Sequence, residues 1–130
     1  AMDEGEFLVS LKLPLKNSSF SASYERFIPR NEMDIAVAAV ASSVSLENGK
    51  ISSCRIALAA VGPTPIFAEE ASELLIGKEP SEENIKNASN KAKELASPIS
   101  DMRGTVEHRK DLIEVLTRRT LSKAVERVGV

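Results

Sequence analysis

Cysteine is almost absent: the 130-residue chain holds one, Cys54. A lone thiol closes no internal disulfide and builds no cysteine-based metal site. Tryptophan is missing, and His108 is the only histidine. No serine or cysteine nucleophile motif stands with it, so no catalytic constellation assembles around an imidazole base. Neither a GxGxxG fingerprint nor a P-loop occurs, and Gly62-Pro63-Thr64-Pro65 is too short and too proline-rich to cradle a phosphate. A basic excess is lacking as well. Lys and Arg number 17 against 19 Asp and Glu, a formal charge of −2, which argues against a general nucleic-acid binder. No apolar run approaches the roughly 20 residues of a membrane span. The first residues show no positive region followed by an apolar stretch. No signal peptide is therefore expected, and a reducing cytoplasm is the expected compartment. Internal repeats and low-complexity tracts do not occur.

What is present is an ordinary globular mix, 42% hydrophobic and 28% charged, with length for one domain over residues 1–130. A chain of this size buries roughly two thirds of its unfolded surface on folding, enough for a true core. Phe7 to Leu13 alternates in its second half and stops at Pro14, which predicts a strand. Phe20 to Phe27 predicts a second one, with Phe20, Ala22, Tyr24 and Arg26 on one face. Residues 35–46 and 51–61 flank Asn48-Gly49, a dipeptide that tolerates positive φ, so they predict a long antiparallel hairpin. The many alanines there imply that something packs closely on the sheet.

Helical character follows. Ala68 to Ile76 predicts a short helix ending at Gly77. Ser81 is an N-cap candidate for a second, with Ile85, Ala88, Ala92 and Leu95 as its buried stripe. A third is expected from about Thr105 to Val125, with Leu112, Ile113, Leu116, Leu121 and Val125 on its apolar side. Strands first and helices afterwards predict an α+β fold: an antiparallel sheet of three to four strands packed against about three helices, a two-layer sandwich.

The polar residues read mostly as structure. His108 suits a solvated helix position, and Cys54 an inert buried thiol. Glu69-Glu70 and Glu82-Glu83 sit where helix dipoles favour carboxylates. Arg118, Arg119, Lys123 and Arg127 crowd the end of the third helix, where cations suit the dipole. Asp101 and Arg103 are expected to organise the loop before that helix, and Arg30 to pair with Asp34.

Several segments in order resemble one family. They are Gly5-Glu6-Phe7-Leu8-Val9-Ser10-Leu11-Lys12-Leu13-Pro14, Tyr24-Glu25-Arg26-Phe27 through Asp34-Ile35-Ala36, and Arg55-Ile56-Ala57-Leu58 through Pro63-Thr64-Pro65. Leu75-Ile76-Gly77-Lys78, Pro98-Ile99-Ser100-Asp101-Met102-Arg103-Gly104-Thr105-Val106-Glu107-His108-Arg109 and Leu116-Thr117-Arg118-Arg119 continue the series. Together they resemble the C-terminal domain of the flavoprotein (medium) subunit of molybdenum hydroxylases, the carbon monoxide dehydrogenase and xanthine dehydrogenase family. Three positions depart from the family pattern: Ala59-Ala60 replace a frequent Gly-Gly, Phe67 an arginine, and His108 a tyrosine.

The resemblance implies an α+β sandwich at the flavin end of an oxidoreductase. There, electrons pass from iron–sulfur clusters to FAD and on to an acceptor. The implied role is structural and docking, with no catalytic or metal-binding residues in this chain. FAD belongs to the complete subunit, and this chain alone is expected to bind none. The larger FAD-binding domain of the family does not occur in this sequence, so the chain is either a piece of a longer subunit or separately encoded. The implied partners are an FAD-binding domain or chain, an iron–sulfur subunit and a molybdopterin subunit. Arg26 is the one residue expected to touch FAD, because it matches a position where relatives place a basic side chain beside the flavin. The alternative is a stand-alone interaction module that self-associates as a homo-oligomer or binds a separate FAD-domain chain. Phe20, Tyr24, Phe27 and Ile28 are then the apolar side chains expected at its partner surface.

Overall fold

The computed structural model describes residues 3–12, 19–30 and 34–128. Four strands form one open antiparallel sheet in chain order: β1 (Phe20–Phe27), β2 (Ala38–Glu47), β3 (Lys50–Ala59) and β4 (Ile66–Phe67). Three helices follow, α1 (Glu69–Glu73), α2 (Glu82–Leu95) and α3 (Val106–Glu126). The two-layer α+β arrangement read from the sequence is the one observed.

The hairpin β2–β3 is the backbone of the sheet. Its turn places Asn48 at φ 51° and Gly49 at φ 76°, both left-handed, which matches the right-handed twist of the flanking strands. Register runs from Glu47 opposite Lys50 to Ala39 opposite Ala59, with an irregularity between Ser45 and Leu46. Period 2 then sorts the side chains. Ala38, Val40, Val44, Cys54, Ile56 and Leu58 join the buried core under the helices, while Ala39, Ala41, Ser43, Arg55, Ala57 and Ala59 alternate to the other side.

β1 pairs with β2 from Phe20 opposite Ser45 to Phe27 opposite Ala38. Phe20, Ala22, Tyr24 and Arg26 do share a face, as expected, but it is the outward one. Ser21 and Ser23 are the buried positions of this strand. Small serines suffice there because α3 packs across β1 and β2. Ser42 and Thr120 join the layers through a 2.7 Å hydroxyl–hydroxyl hydrogen bond, and Thr120 also donates to the Leu116 carbonyl of its own helix.

Two expectations are corrected. Phe7 to Lys12 form no strand; these residues lie unpaired, with Phe7, Leu8, Val9 and Leu11 all exposed. An alternating segment becomes a strand only when a sheet edge takes its hydrogen bonds, and no described edge does. Leu13 and Pro14 lie outside the described residues. The helix expected over Ala68 to Ile76 keeps only the five residues of α1. The chain leaves the helix there because β3 recaptures it: Gly77 N–H donates to Ile51 O, and Ile51 N–H to Lys78 O. Ser72 explains the short β4. Its hydroxyl accepts from Ile56 N–H and donates to Ala68 O, so β3 needs no longer neighbour at that point.

The longer helices match expectation closely. Ser81 caps α2 by accepting from Asn84 N–H, and Ile85, Ala88, Ser89 and Ala92 are its buried stripe. Thr105 caps α3 by accepting from His108 N–H. Lys93 ties the two helices, reaching Asp111 at 2.6 Å and Glu114 at 3.2 Å. None of the helices is long and apolar enough to cross a membrane.

Replacing Gly49 with valine is expected to destabilise the chain by on the order of 1 kcal/mol or more, since a β-branched residue resists positive φ. Open space surrounds the site, so backbone strain is the whole effect. Equilibrium unfolding in urea measures it.

Candidate functional site

The polar chemistry of the chain gathers at one end of the sheet, where β2 begins and β3 ends. Arg109, the fourth residue of α3, is 5% exposed. Its Nη1 donates to Val37 O at 2.8 Å and to Ala60 O at 3.4 Å, and its Nη2 donates to Asp101 Oδ1 at 2.7 Å. One guanidinium thus joins the start of β2, the end of β3 and the loop before α3. A buried cation needs such partners, because an unpaired one is expensive in low dielectric. Its Nε alone has no partner.

Asp101 is held from two sides. It accepts from Arg109 and from Arg103 N–H at 2.8 Å, while the Arg103 guanidinium stands 4.0 Å away. The Arg109 guanidinium first, and the Arg103 backbone N–H second, hold its carboxyl below the usual aspartate value. A two-residue loop closes between Asp101 and Gly104, each N–H donating to the other's carbonyl. A Cβ at Gly104 would stand 3.1 Å from the exposed His108 ring, a contact that a small movement of that side chain relieves.

The segment from β1 to β2 is pinned in parallel fashion. Val37 N–H donates to Phe27 O at 2.9 Å. Asp34 accepts from Ile35 N–H, Arg30 N–H and Arg30 Nε, the ion pair measuring 3.4 Å. Partial desolvation pushes the Asp34 carboxyl up, but the Arg30 side chain and the two backbone donors outweigh it and hold its pKa low. Beside Arg109 a cleft of about 510 Å³ opens between Ile35, Ala60, Pro63, Pro98, Ile99 and Arg103.

Ala60 lies at φ +62°, the region that costs an L-residue about 1–2 kcal/mol. The chain thus holds an alanine in a left-handed conformation that glycine adopts without steric cost.

The other expected residues divide clearly. Arg26 lies on the outward face, opposite Ala39 in register, and its side chain pairs with no carboxylate among the described residues. Tyr24 is 60% exposed and Phe27 is 38% exposed, whereas Phe20 and Ile28 are half-buried. His108 is exposed and sets its ring edge-on to Phe27, centroids 6.0 Å apart. Burial pushes the Cys54 thiol up to about 12, an inert group as expected. Among the described residues no three His, Cys, Asp or Glu side chains group as a metal site. Sequence reasoning missed Arg109 as the junction. The available signal was its spacing of eight from Asp101, which brings the two together once Thr105 caps the helix.

The architecture defines a class: an open four-stranded meander under a three-helix layer, whose buried charges join its own elements. The chain belongs to the family described as CO dehydrogenase flavoprotein C-terminal domain, whose pattern matches residues 23–124. The carbon monoxide dehydrogenase medium chain of Afipia carboxidovorans is 32% identical over 127 residues, covering 98% of this chain and 44% of that one. The xanthine dehydrogenase FAD-binding subunit of Escherichia coli O157:H7 is 25% identical over 130 residues, covering 99% of this chain and 44% of its own. Among solved structures, a carbon monoxide dehydrogenase from Hydrogenophaga pseudoflava that lacks the Mo-pyranopterin moiety of its molybdenum cofactor superposes with a TM-score of 0.85. That match has 28% identity over 89% of this chain and 40% of that one. This chain therefore spans less than half the length of these relatives.

Two outcomes follow for the junction. Ala60→Gly is expected to stabilise the chain by on the order of 1 kcal/mol, relief of strain exceeding the added unfolded-state entropy, read as a higher thermal midpoint. Asp101 titrates lower in the folded chain than in the unfolded one. Its stabilisation is therefore complete above the unfolded value near pH ~3.9 and lost as pH falls through the folded value. The stability difference between wild type and Asp101→Asn should stay constant from pH 5 to 8 and shrink below about pH 4, measured by denaturant titration at each pH.

Proposed function

We propose that this chain serves as the C-terminal domain of a flavoprotein subunit in a molybdenum hydroxylase of the carbon monoxide and xanthine dehydrogenase kind. There it completes the flavin subunit and supports its docking to iron–sulfur and molybdopterin subunits. The observation that carries this reading is the alignment of 98% of the chain with the medium chain of a carbon monoxide dehydrogenase.

A dinucleotide pyrophosphate is ordinarily held by backbone N–H groups at a glycine-rich turn before a helix. Here the two shorter helices open with Glu69-Glu70 and Glu82-Glu83, which repel phosphate, and α3 opens on Thr105 with Glu107 in its first turn. These residues do not fit the role of principal holder. They do fit a contribution from one side: Arg26 is an exposed cation, two residues from Tyr24 on the same face of β1, with no carboxylate partner among the described residues. A fixed guanidinium there stabilises negative charge on a phosphate or on reduced flavin. Bound FAD supplies electron transfer, and this chain's part is to orient it and offset its charge. The buried junction around Arg109 and Asp101 fixes Val37, next to β2, the strand that pairs with β1.

The purified chain alone is expected to be colourless, with no near-equimolar flavin absorbance after incubation with FAD. Co-purification of stoichiometric flavin overturns that. Arg26→Gln, placed in a flavin subunit completed by this chain, is expected to weaken FAD retention or lower the flavin midpoint potential. Thermal unfolding of the isolated domain should not change. Unaltered retention and potential remove Arg26 from the flavin site.

A further inference from the structure

The cleft beside Arg109 has a lining that the buried junction does not by itself require. Its volume of about 510 Å³ lies within the ordinary span of small-ligand sites, roughly 300–1,000 Å³. Most of its wall is apolar, formed by Ile35, Ala36, Ala60, Pro63, Pro98 and Ile99. Ile35 is 64% exposed and Ile99 is 74% exposed. Side chains left this open to water gain from any apolar body that covers them. The wall also holds backbone strain, since Ala60 lies at φ +62°. Strain of this kind collects where ligands are held.

Three charged groups complete the lining: Asp101, Arg103 and Arg109. Two guanidiniums therefore share one carboxylate, and the share is unequal. Asp101 Oδ1 accepts from Arg109 Nη2 at 2.7 Å and from the Arg103 backbone N–H at 2.8 Å. The Arg103 guanidinium comes only to 4.0 Å from Asp101 Oδ2, beyond hydrogen-bond distance. Its side chain is 39% exposed, and its planar donors stay open. The cleft thus carries one positive charge in excess, on an arginine whose loop is anchored by the Asp101–Arg109 pair. The larger depression between α2 and α3, about 650 Å³, has no such excess. There Arg118, Arg119 and Lys123 stand with Glu25, Glu82 and Glu126.

We propose that the cleft is a binding site for a small monocarboxylic acid with an apolar body, its carboxylate on the Arg103 guanidinium and its body against Ile35, Pro63, Pro98 and Ile99. The inference stands apart from the flavoprotein reading. A guanidinium fork matches a carboxylate through two parallel hydrogen bonds. One excess charge suits a monoanion. The apolar wall adds nothing to the binding of a bare inorganic anion, and the open guanidinium adds little to that of a neutral molecule of the same shape.

Benzoate is the probe, titrated into the full chain and followed by the backbone amide signals in heteronuclear NMR. Saturable shifts are expected at Ile35, Ala60, Ile99 and Arg103, with millimolar affinity. Benzyl alcohol, which keeps the ring and lacks the charge, is expected to bind more weakly by on the order of fivefold, the worth of a partly exposed ion pair. Inorganic phosphate should also bind more weakly than benzoate. Arg103→Gln is expected to weaken benzoate by a similar factor and leave benzyl alcohol unchanged, and Arg118→Gln to change neither. The comparison of benzoate with benzyl alcohol needs no substitution, so it decides the matter even where Arg103→Gln fails to fold. No saturable shift with benzoate overturns the proposal. Equal binding of benzyl alcohol removes the carboxylate from it, and phosphate binding as tight as benzoate removes the apolar body; either result overturns it. Shifts gathered around Arg118 and Arg119 also overturn it, by moving the anion to the other depression.

Discussion

The requirement that a buried guanidinium find partners for both of its terminal nitrogens organises the end of the sheet where β2 begins and β3 ends. Arg109 is withdrawn from water, so its charge must find carboxylate and carbonyl oxygens inside the protein. Those oxygens belong to Val37, Ala60 and Asp101, three points far apart in sequence. Satisfying them sets where β2 begins, where β3 ends and how the chain turns into α3. Ala60 tolerates a left-handed backbone at this very junction. Local strain of about 1 kcal/mol is small against the cost of leaving a buried charge unpaired.

The two faces of the sheet divide the labour. On the inner face, serine and threonine let α3 come close, and the Ser42–Thr120 hydrogen bond satisfies both hydroxyls where water is excluded. Ser72 does similar work at the β3 edge by taking a backbone N–H that a longer neighbouring strand would have taken. On the outer face, the same preference for small side chains leaves a flat floor with aromatic and cationic rims. The alanine content of the hairpin therefore serves both layers: Ala38 meets the helices, and Ala39, Ala41, Ala57 and Ala59 face away from them.

Much of the fold was legible in sequence because its signals are local. Asn48-Gly49 specifies a turn through the φ values it tolerates, and period 2 on either side of it sets the strands. Ser81 and Thr105 mark helix starts because a side-chain oxygen three residues ahead of a free N–H caps it. Segments whose fate depends on a distant partner were misread. Phe7 to Lys12 alternates like a strand but finds no described edge, and the helix at Ala68 stops early because Ile51 takes the hydrogen bonds of Gly77 and Lys78.

For the site the division is similar. The sequence by itself determined the order of elements, the polarity of each face relative to the next, and the family, since each depends on spacing along the chain. It placed Asp101 correctly in the loop before α3, and paired Arg30 with Asp34 at four residues' separation. Only the tertiary structure decided which face of β1 is covered, because serines and aromatics alternate there and hydrophobicity points the wrong way. It alone decided that Arg109 lies inside and Arg26 outside. Two arginines look alike in a sequence, and the difference arises from whether carbonyl oxygens contributed by distant strands surround the guanidinium or water does.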